Sequence, residues 1–193
     1  MGRPREFDPE DALEKAMHVF WQNGYEGTSM SDLVESTGVH RGSLYTTYGN
    51  KEKIFLAALE RYGENYGLEM IRPVLESDRP VAALKRMIWD RYDDYVSGRY
   101  TCGCLISNTL AEVTPEDKEV FGYITRLLEV RCEMFTRALE RAKSLGQLAS
   151  HQDPVALARY LNTFLLGVAM QVRLHPENET MRETIEMGLA VFD

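Results

Sequence analysis

The sequence predicts an all-α protein of about nine helices. Apolar residues recur every three or four positions along most of its 193 residues, the period of a helix with one buried face. Most of these runs open on Asp, Ser, Thr or Asn, often with Pro nearby, and several close on Gly, the residues that satisfy and end helix termini. No segment alternates apolar and polar residues as a half-buried strand would.

Asp8 caps the first helix, Pro9 suits its first position and Asp11 is placed to complete a capping box. Ala12, Leu13, Ala16, Met17 and Phe20 then recur at helical spacing until Asn23-Gly24. A second, short helix starts at Thr28-Ser29, with Asp32 three residues after Ser29, and ends at Gly38. A third begins near His40 and carries Leu44, Tyr45 and Tyr48 to Gly49-Asn50. Asn50 caps a long fourth helix through Phe55, Leu56, Leu59 and Tyr62, which Pro73 and Asp78-Arg79-Pro80 separate from a fifth over roughly Pro80 to Val96. A short helix, about Cys104 to Val113, comes after a loop. Thr114-Pro115 then opens a long one to about Ser144, with Phe121, Ile124, Leu128, Phe135 and Leu139 on one stripe. Asp153-Pro154 opens the next, and the last starts near Asn178.

The segment from Leu157 to Val172 is apolar almost all round. Leu157, Leu161, Phe164, Leu165, Val168 and Val172 form one face, and Arg159 is its single charge. A surface helix needs a polar back, so burial on two sides is expected. The face of Leu157 to Val172 is therefore a candidate homodimer interface, repeated by a symmetric partner; a central helix of a monomer is the alternative.

A formal net charge of −8 argues against indiscriminate attachment to nucleic acid or anionic membrane. Residues 1–55 hold six Lys/Arg against nine Asp/Glu, so any DNA contact must come from a local patch. Three cysteines, Cys102, Cys104 and Cys132, make no disulfide framework and fit a reducing cytoplasm. The first residues are polar and predict no secretory leader, and the longest uncharged stretch, Tyr160 to Val172, is too short to span about 30 Å of hydrocarbon. No nucleophile elbow, phosphate-cradling loop or metal-spaced His/Glu set stands in the chain, so neither an enzyme, a cofactor nor a metal is expected.

Two short helices joined by a glycine turn form the DNA-reading unit of many repressors. Gly38 supplies the turn, Val39 and Leu44 fill the angle, and Ser29 leaves helix N–H groups that can meet a phosphate. The next helix is polar where it would enter a groove, through His40, Arg41, Ser43, Thr46 and Thr47, with Lys51 and Lys53 beyond. A helical interaction module without DNA binding would not require that polar face with Lys51 after it. Phe20-Trp21-Gln22-Asn23-Gly24-Tyr25-Glu26-Gly27-Thr28-Ser29-Met30, then Gly38-Val39-His40-Arg41-Gly42-Ser43-Leu44-Tyr45 and Tyr48-Gly49-Asn50-Lys51-Glu52, resemble the TetR/AcrR regulators over about residues 4–62. Val34 and Thr37 stand where that family usually has alanines.

The resemblance implies a helix-turn-helix domain at 1–52 and a helical effector-binding and dimerisation domain at 53–193. Arg41 and Gly42 would lie over base edges, with His40 and Thr46 near the groove floor. Thr28, Ser43, Tyr45, Thr47 and Lys51 would hold phosphates; Arg3 and Arg5 could reach a minor groove or a neighbouring phosphate, or form a tail with no role. The expected partners are a palindromic double-stranded operator, a second copy of the chain and a small-molecule effector that shifts the fourth helix. Tyr62, Tyr66, Met70, Trp89, Tyr92, Tyr95, Tyr123, Met134 and Phe164 are candidate pocket residues for a hydrophobic or aromatic effector, though each also suits ordinary core. Cys104, near a helix start, is both a pocket candidate and the basis of an alternative, a thiol-based sensor of oxidants, electrophiles or metal.

Overall fold

The computed structural model describes residues 7–99, 102–174 and 179–193. Three helices lead: α1 (Pro9–Asn23), α2 (Met30–Thr37) and α3 (Arg41–Tyr48). Asp8 caps α1 as expected, accepting from the Glu10 N–H, but Asp11 closes no capping box and pairs with Lys15 instead. The box at α2 is complete, Ser29 accepting from Asp32 and the Asp32 carboxylate accepting from the Ser29 N–H. Gly38 ends α2 at φ 70°, a left-handed conformation that a β-carbon disfavours.

From Asn50, whose side chain accepts from the Lys53 N–H, α4 (Lys51–Tyr62) runs as a regular helix. It opens into a π turn (Gly63–Leu68), tightens through a 3-10 turn (Glu69–Ile71) and continues as α5 (Arg72–Glu76). Pro73 thus does not end the helical path, because it sits in the first turn of α5, where its missing N–H costs nothing. The remaining helices are α6 (Pro80–Val96), α7 (Leu105–Glu112), α8 (Lys118–Ser144), α9 (Pro154–Gln171) and α10 (Glu179–Leu189). With α4 and α5 taken as one path, the described residues form the expected nine helices and no strand.

Thr114-Pro115 forms a turn before α8 rather than its start: the Thr114 N–H and hydroxyl both donate to Asp117, whose carboxylate is thereby drawn away from the helix. Phe121 departs from the expected stripe and is exposed, while Val120 and Leu127 are buried with Ile124, Phe135 and Leu139.

Two apolar cores hold these helices. The first joins Phe20, Leu33, Leu44, Ile54, Phe55 and Leu59 to Leu105, Ile106, Val120 and Ile124. The second lies among α6, α8, α9 and α10. The expected boundary at 52/53 therefore falls within a shared core, since α4 contributes Ile54 to Tyr62 to the same cluster as α1 to α3.

The expected dimer face on α9 is turned inward. Leu157, Leu161, Val168 and Val172 are buried in the second core of their own chain, and Phe164 and Leu165 are half-buried against it. Phe164 packs where α10 passes at Gly188, whose carbonyl accepts from the Tyr160 hydroxyl at 2.9 Å. The side left outward on α9 carries Val155, Tyr160, Thr163, Gly167 and Met170, followed by Leu174, 74% exposed. On α10 and the turn after it, Met187 (80% exposed) and Val191 extend the same apolar character.

Candidate nucleic-acid interface and effector cavity

The turn between α2 and α3 is set by a side chain as well as by Gly38. Thr37 Oγ1 donates to the Leu33 carbonyl at 2.6 Å and accepts from the Val39 N–H at 3.2 Å. An alanine could do neither, so the departure at Thr37 ties the end of α2 to the start of α3. Val39 and Leu44 are buried beneath the turn.

The outer side of α3 is polar and open. His40, Arg41, Gly42, Tyr45, Thr46 and Thr47 are exposed, with Ser43 half-buried. Arg41 donates one N–H to Ser31 Oγ at 3.0 Å, which steadies the guanidinium and leaves most of its five donors for a partner. Thr46 donates to the Gly42 carbonyl at 2.8 Å. Gly42 itself is helical, and a β-carbon built there would meet nothing within 4 Å. Neither backbone conformation nor packing within the chain accounts for a glycine that weakens its helix by about 1 kcal/mol.

Two of the expected phosphate contacts are redeployed. Thr28 is buried and its hydroxyl donates to the Gly24 carbonyl at 2.7 Å. Lys51 folds back on the loop before α2, donating to the carbonyls of Tyr25 (2.9 Å) and Thr28 (3.0 Å), with its ammonium 4.2 Å from the centre of the Tyr25 ring. That loop has few regular backbone partners, so its carbonyls draw in the nearest cation. Ser29 is spent as the cap of α2, leaving the helix N-terminus exposed. Tyr48 donates to the Pro9 carbonyl at 2.7 Å and is half-buried, so it serves the fold more than the outer face. Arg3 and Arg5 lie outside the described residues.

Behind α4 lies a cavity of about 50 Å³, room for a few waters or one small planar group. Of the expected pocket residues, Tyr62, Tyr66, Met70, Tyr92, Tyr95 and Cys104 line it. Trp89, Tyr123, Met134 and Phe164 do not. Trp89 packs edge-on against Tyr92 beneath Arg182, Tyr123 donates to the Leu59 carbonyl, Met134 joins the second core and Phe164 meets α10. Sequence reading missed Arg91, Ser107 and Arg131 in the wall. Arg91 and Arg131 look like surface charges in the sequence, and only the packing of α6 and α8 turns them inward.

Burial pushes the Tyr62 and Tyr95 phenols up, with the neighbouring Cys104 thiol adding to it and Arg91 opposing. Burial also pulls the Arg131 guanidinium down, although it keeps its charge. Cys104 is the N-cap of α7, half-buried, and it provides no side-chain cap. Among the described residues no group of three His, Cys, Asp or Glu could hold a metal.

Cavity and reading unit meet at α1. Trp21 packs edge-on against Tyr62 (4.8 Å between ring centres) and Tyr66 (5.5 Å). Tyr66, in the π turn, donates to Glu14 at 3.2 Å, and Glu14 also pairs with Arg61 of α4.

A tight glycine turn, a buried plug beneath it and an outward polar second helix define a helix-turn-helix regulator. Comparison with known proteins makes this specific. Residues 12–58 match the model of bacterial regulatory proteins of the tetR family, and residues 80–187 match a tetracyclin repressor-like C-terminal domain. The HTH-type transcriptional regulator YezE of Bacillus subtilis is 33% identical over 198 residues, covering 100% of both chains. The HTH-type transcriptional repressor ComR of Escherichia coli is 33% identical over 177 residues, covering 89% of this chain and 82% of that one. Among solved structures, a cysteine mutant of the TetR family regulator CifR, complexed with 26-base-pair operator DNA, superposes with a TM-score of 0.88 at 28% identity and full coverage of both. The chain belongs to the TetR family of transcription regulators. Among the described residues no helix is long and apolar enough to cross a membrane.

Proposed function

We propose that the protein is a cytoplasmic, homodimeric repressor that binds a palindromic operator through α3 and releases it when a small molecule enters the cavity behind α4. The observation that carries the DNA-binding half is Gly42. A helical glycine with open space around it is unnecessary to the fold, and it is what close approach of a groove demands. Arg41 beside it suits a bidentate contact to guanine, with Ser43, Tyr45 and Thr47 placed for phosphates. ComR is named a repressor and the CifR structure holds operator DNA, which supports carrying both properties to this chain.

Dimerisation is assigned to the outward side of α9 and α10, through Tyr160, Gly167, Met170, Leu174 and Met187. A two-fold pair would set two reading helices about 34–36 Å apart, one turn of duplex. Effector control is assigned to the cavity wall. Tyr66 and Met70 belong to the segment in which α4 departs from regular geometry, and a ligand that displaces them moves α4 and, through Trp21 and Glu14, α1. The thiol-sensing alternative gains no support from Cys104, which is half-buried beside Tyr62 and Tyr95.

The test is fluorescence anisotropy of the full chain with labelled duplex from upstream of its own gene, with unrelated duplex as competitor. Saturable binding that resists the competitor is expected. Equal loss to any duplex would refute sequence-specific regulation.

A further inference from the structure

The cavity wall is unusual in its balance of hydrogen-bonding groups. It carries two guanidiniums, Arg91 and Arg131, together with tyrosine and serine hydroxyls, and no carboxylate is among its described lining residues. Arg131 donates from Nε to Asn162 Oδ1 at 2.6 Å and from Nη2 to the Asn162 carbonyl at 3.3 Å, and no described carboxylate forms an ion pair with it. Arg91 donates to the Tyr66 carbonyl at 2.8 Å and to the Met70 sulfur at 3.3 Å. Arg131, withdrawn from water against neutral acceptors, is incompletely compensated.

Ser107 adds an independent sign. It is 4% exposed, it lines the cavity, and its hydroxyl has no hydrogen-bond partner. A helical serine ordinarily bonds the carbonyl four residues back, as Thr109 does with Leu105. For Ser107 that carbonyl belongs to Gly103, and it receives the Trp21 indole N–H instead, at 2.9 Å. Such an orphaned polar group destabilises the fold unless a ligand or water satisfies it.

The charged groups of the wall are guanidiniums and no carboxylate, around a space that is otherwise aromatic and aliphatic, through Ile88, Leu128 and Leu165 among others. We infer that the effector is an amphipathic organic anion, a carboxylate on an apolar body. Its head lies among Arg131, Arg91 and Ser107, and its body displaces Tyr66 and Met70. The identification rests on the proposal that this cavity takes the effector. A carboxylate matches the arginine fork with paired charge-assisted hydrogen bonds, whereas an amide or alcohol of the same length cannot neutralise the buried charge. The present space holds only a small group, so the body must open it, and the π turn is the adjoining stretch of wall that has already left regular helix geometry.

The test is isothermal titration calorimetry of the full chain with straight-chain and phenyl-terminated carboxylates of four to twelve carbons, each paired with its primary amide and alcohol. At least one carboxylate is expected to bind tenfold or more tightly than its amide, with that preference falling to under threefold in Arg131→Gln and persisting in Arg131→Lys. Equal affinity of amide and carboxylate throughout the series, or no binding by any member, would overturn the inference. The wild-type contrast needs no variant, so a poorly folding Arg131→Gln does not blunt the test. The same carboxylate is then added to the DNA complex: binding without release leaves the anion assignment standing and refutes effector control.

Discussion

The indole N–H of Trp21, on α1, donates to the Gly103 carbonyl just before α7 at 2.9 Å, in a buried setting 82 residues away in sequence. The same ring lies edge-on against Tyr62 and Tyr66 of the cavity wall. One side chain therefore joins the reading unit, the cavity and the loop whose carbonyl Ser107 would otherwise use. Trp21→Phe keeps an aromatic ring but removes the indole N–H and part of a buried ring, and stability should fall by about 1–3 kcal/mol. Urea denaturation measures it; an unchanged midpoint would mean that this link contributes nothing.

Gly42→Ala separates folding from recognition. Replacing a helical glycine that faces open space should leave the protein as stable or raise its stability by up to about 1 kcal/mol. Operator affinity should nevertheless fall tenfold or more, because the β-carbon would stand between α3 and the groove. Thermal unfolding and anisotropy on the same preparation check both halves.

Arg41→Ala should cost about 1–3 kcal/mol at one base position and relax preference there. Lys51→Ala should behave otherwise. Its ammonium holds the Tyr25 and Thr28 carbonyls, so the thermal midpoint should drop along with affinity for every duplex. Loss of affinity in Lys51→Ala with an unaltered midpoint would return Lys51 to the role of a plain phosphate contact.

Met187→Asp, alone or with Gly167→Glu, places charge on the outward side of α9 and α10. Light scattering should report monomers that keep their helical circular dichroism and lose most operator affinity. A dimer persisting in the double variant would move the interface elsewhere.

Acid should loosen the link between α1 and α4. Burial alone would raise the Glu14 carboxyl, but the hydrogen bond and charge of Arg61, helped by Tyr66 and His18, outweigh it and hold it below its ordinary value of 4.5. A carboxylate held low in the folded state contributes stability above that ordinary value, and the contribution is lost as pH falls below it. Glu14→Gln should therefore flatten the decline in stability as pH falls below about 4.5. Parallel pH profiles for both proteins would show that the pair does not matter.

Much of this is legible from residue order because caps and turns are local. Ser29 with Asp32, Gly38, Asn50 and Asp153-Pro154 act within a few residues of themselves, and each does what its position implies. Which way an apolar helix faces is not local. Leu157, Leu161 and Val168 read as a dimer interface with a monomer core as the alternative, and the packing of α8 and α10 buries them in the core of their own chain. Lys51 and Thr28 escape a sequence reading for a similar reason: their partners are carbonyls of an irregular loop, invisible to any side-chain pattern. Arg131 escapes it because an arginine on a long amphipathic helix ordinarily faces water, and nothing in its neighbours' spacing marks it as buried.

Hydroxyl-radical footprinting of the full chain on duplex from upstream of its own gene reports how the two copies of α3 dock. Two symmetric protected stretches are expected, their centres about one helical turn apart, near 34–36 Å, both vanishing in Gly42→Ala. A single protected stretch, or protection that survives that substitution, would contradict the assignment of α3 as the reading helix of a two-fold dimer.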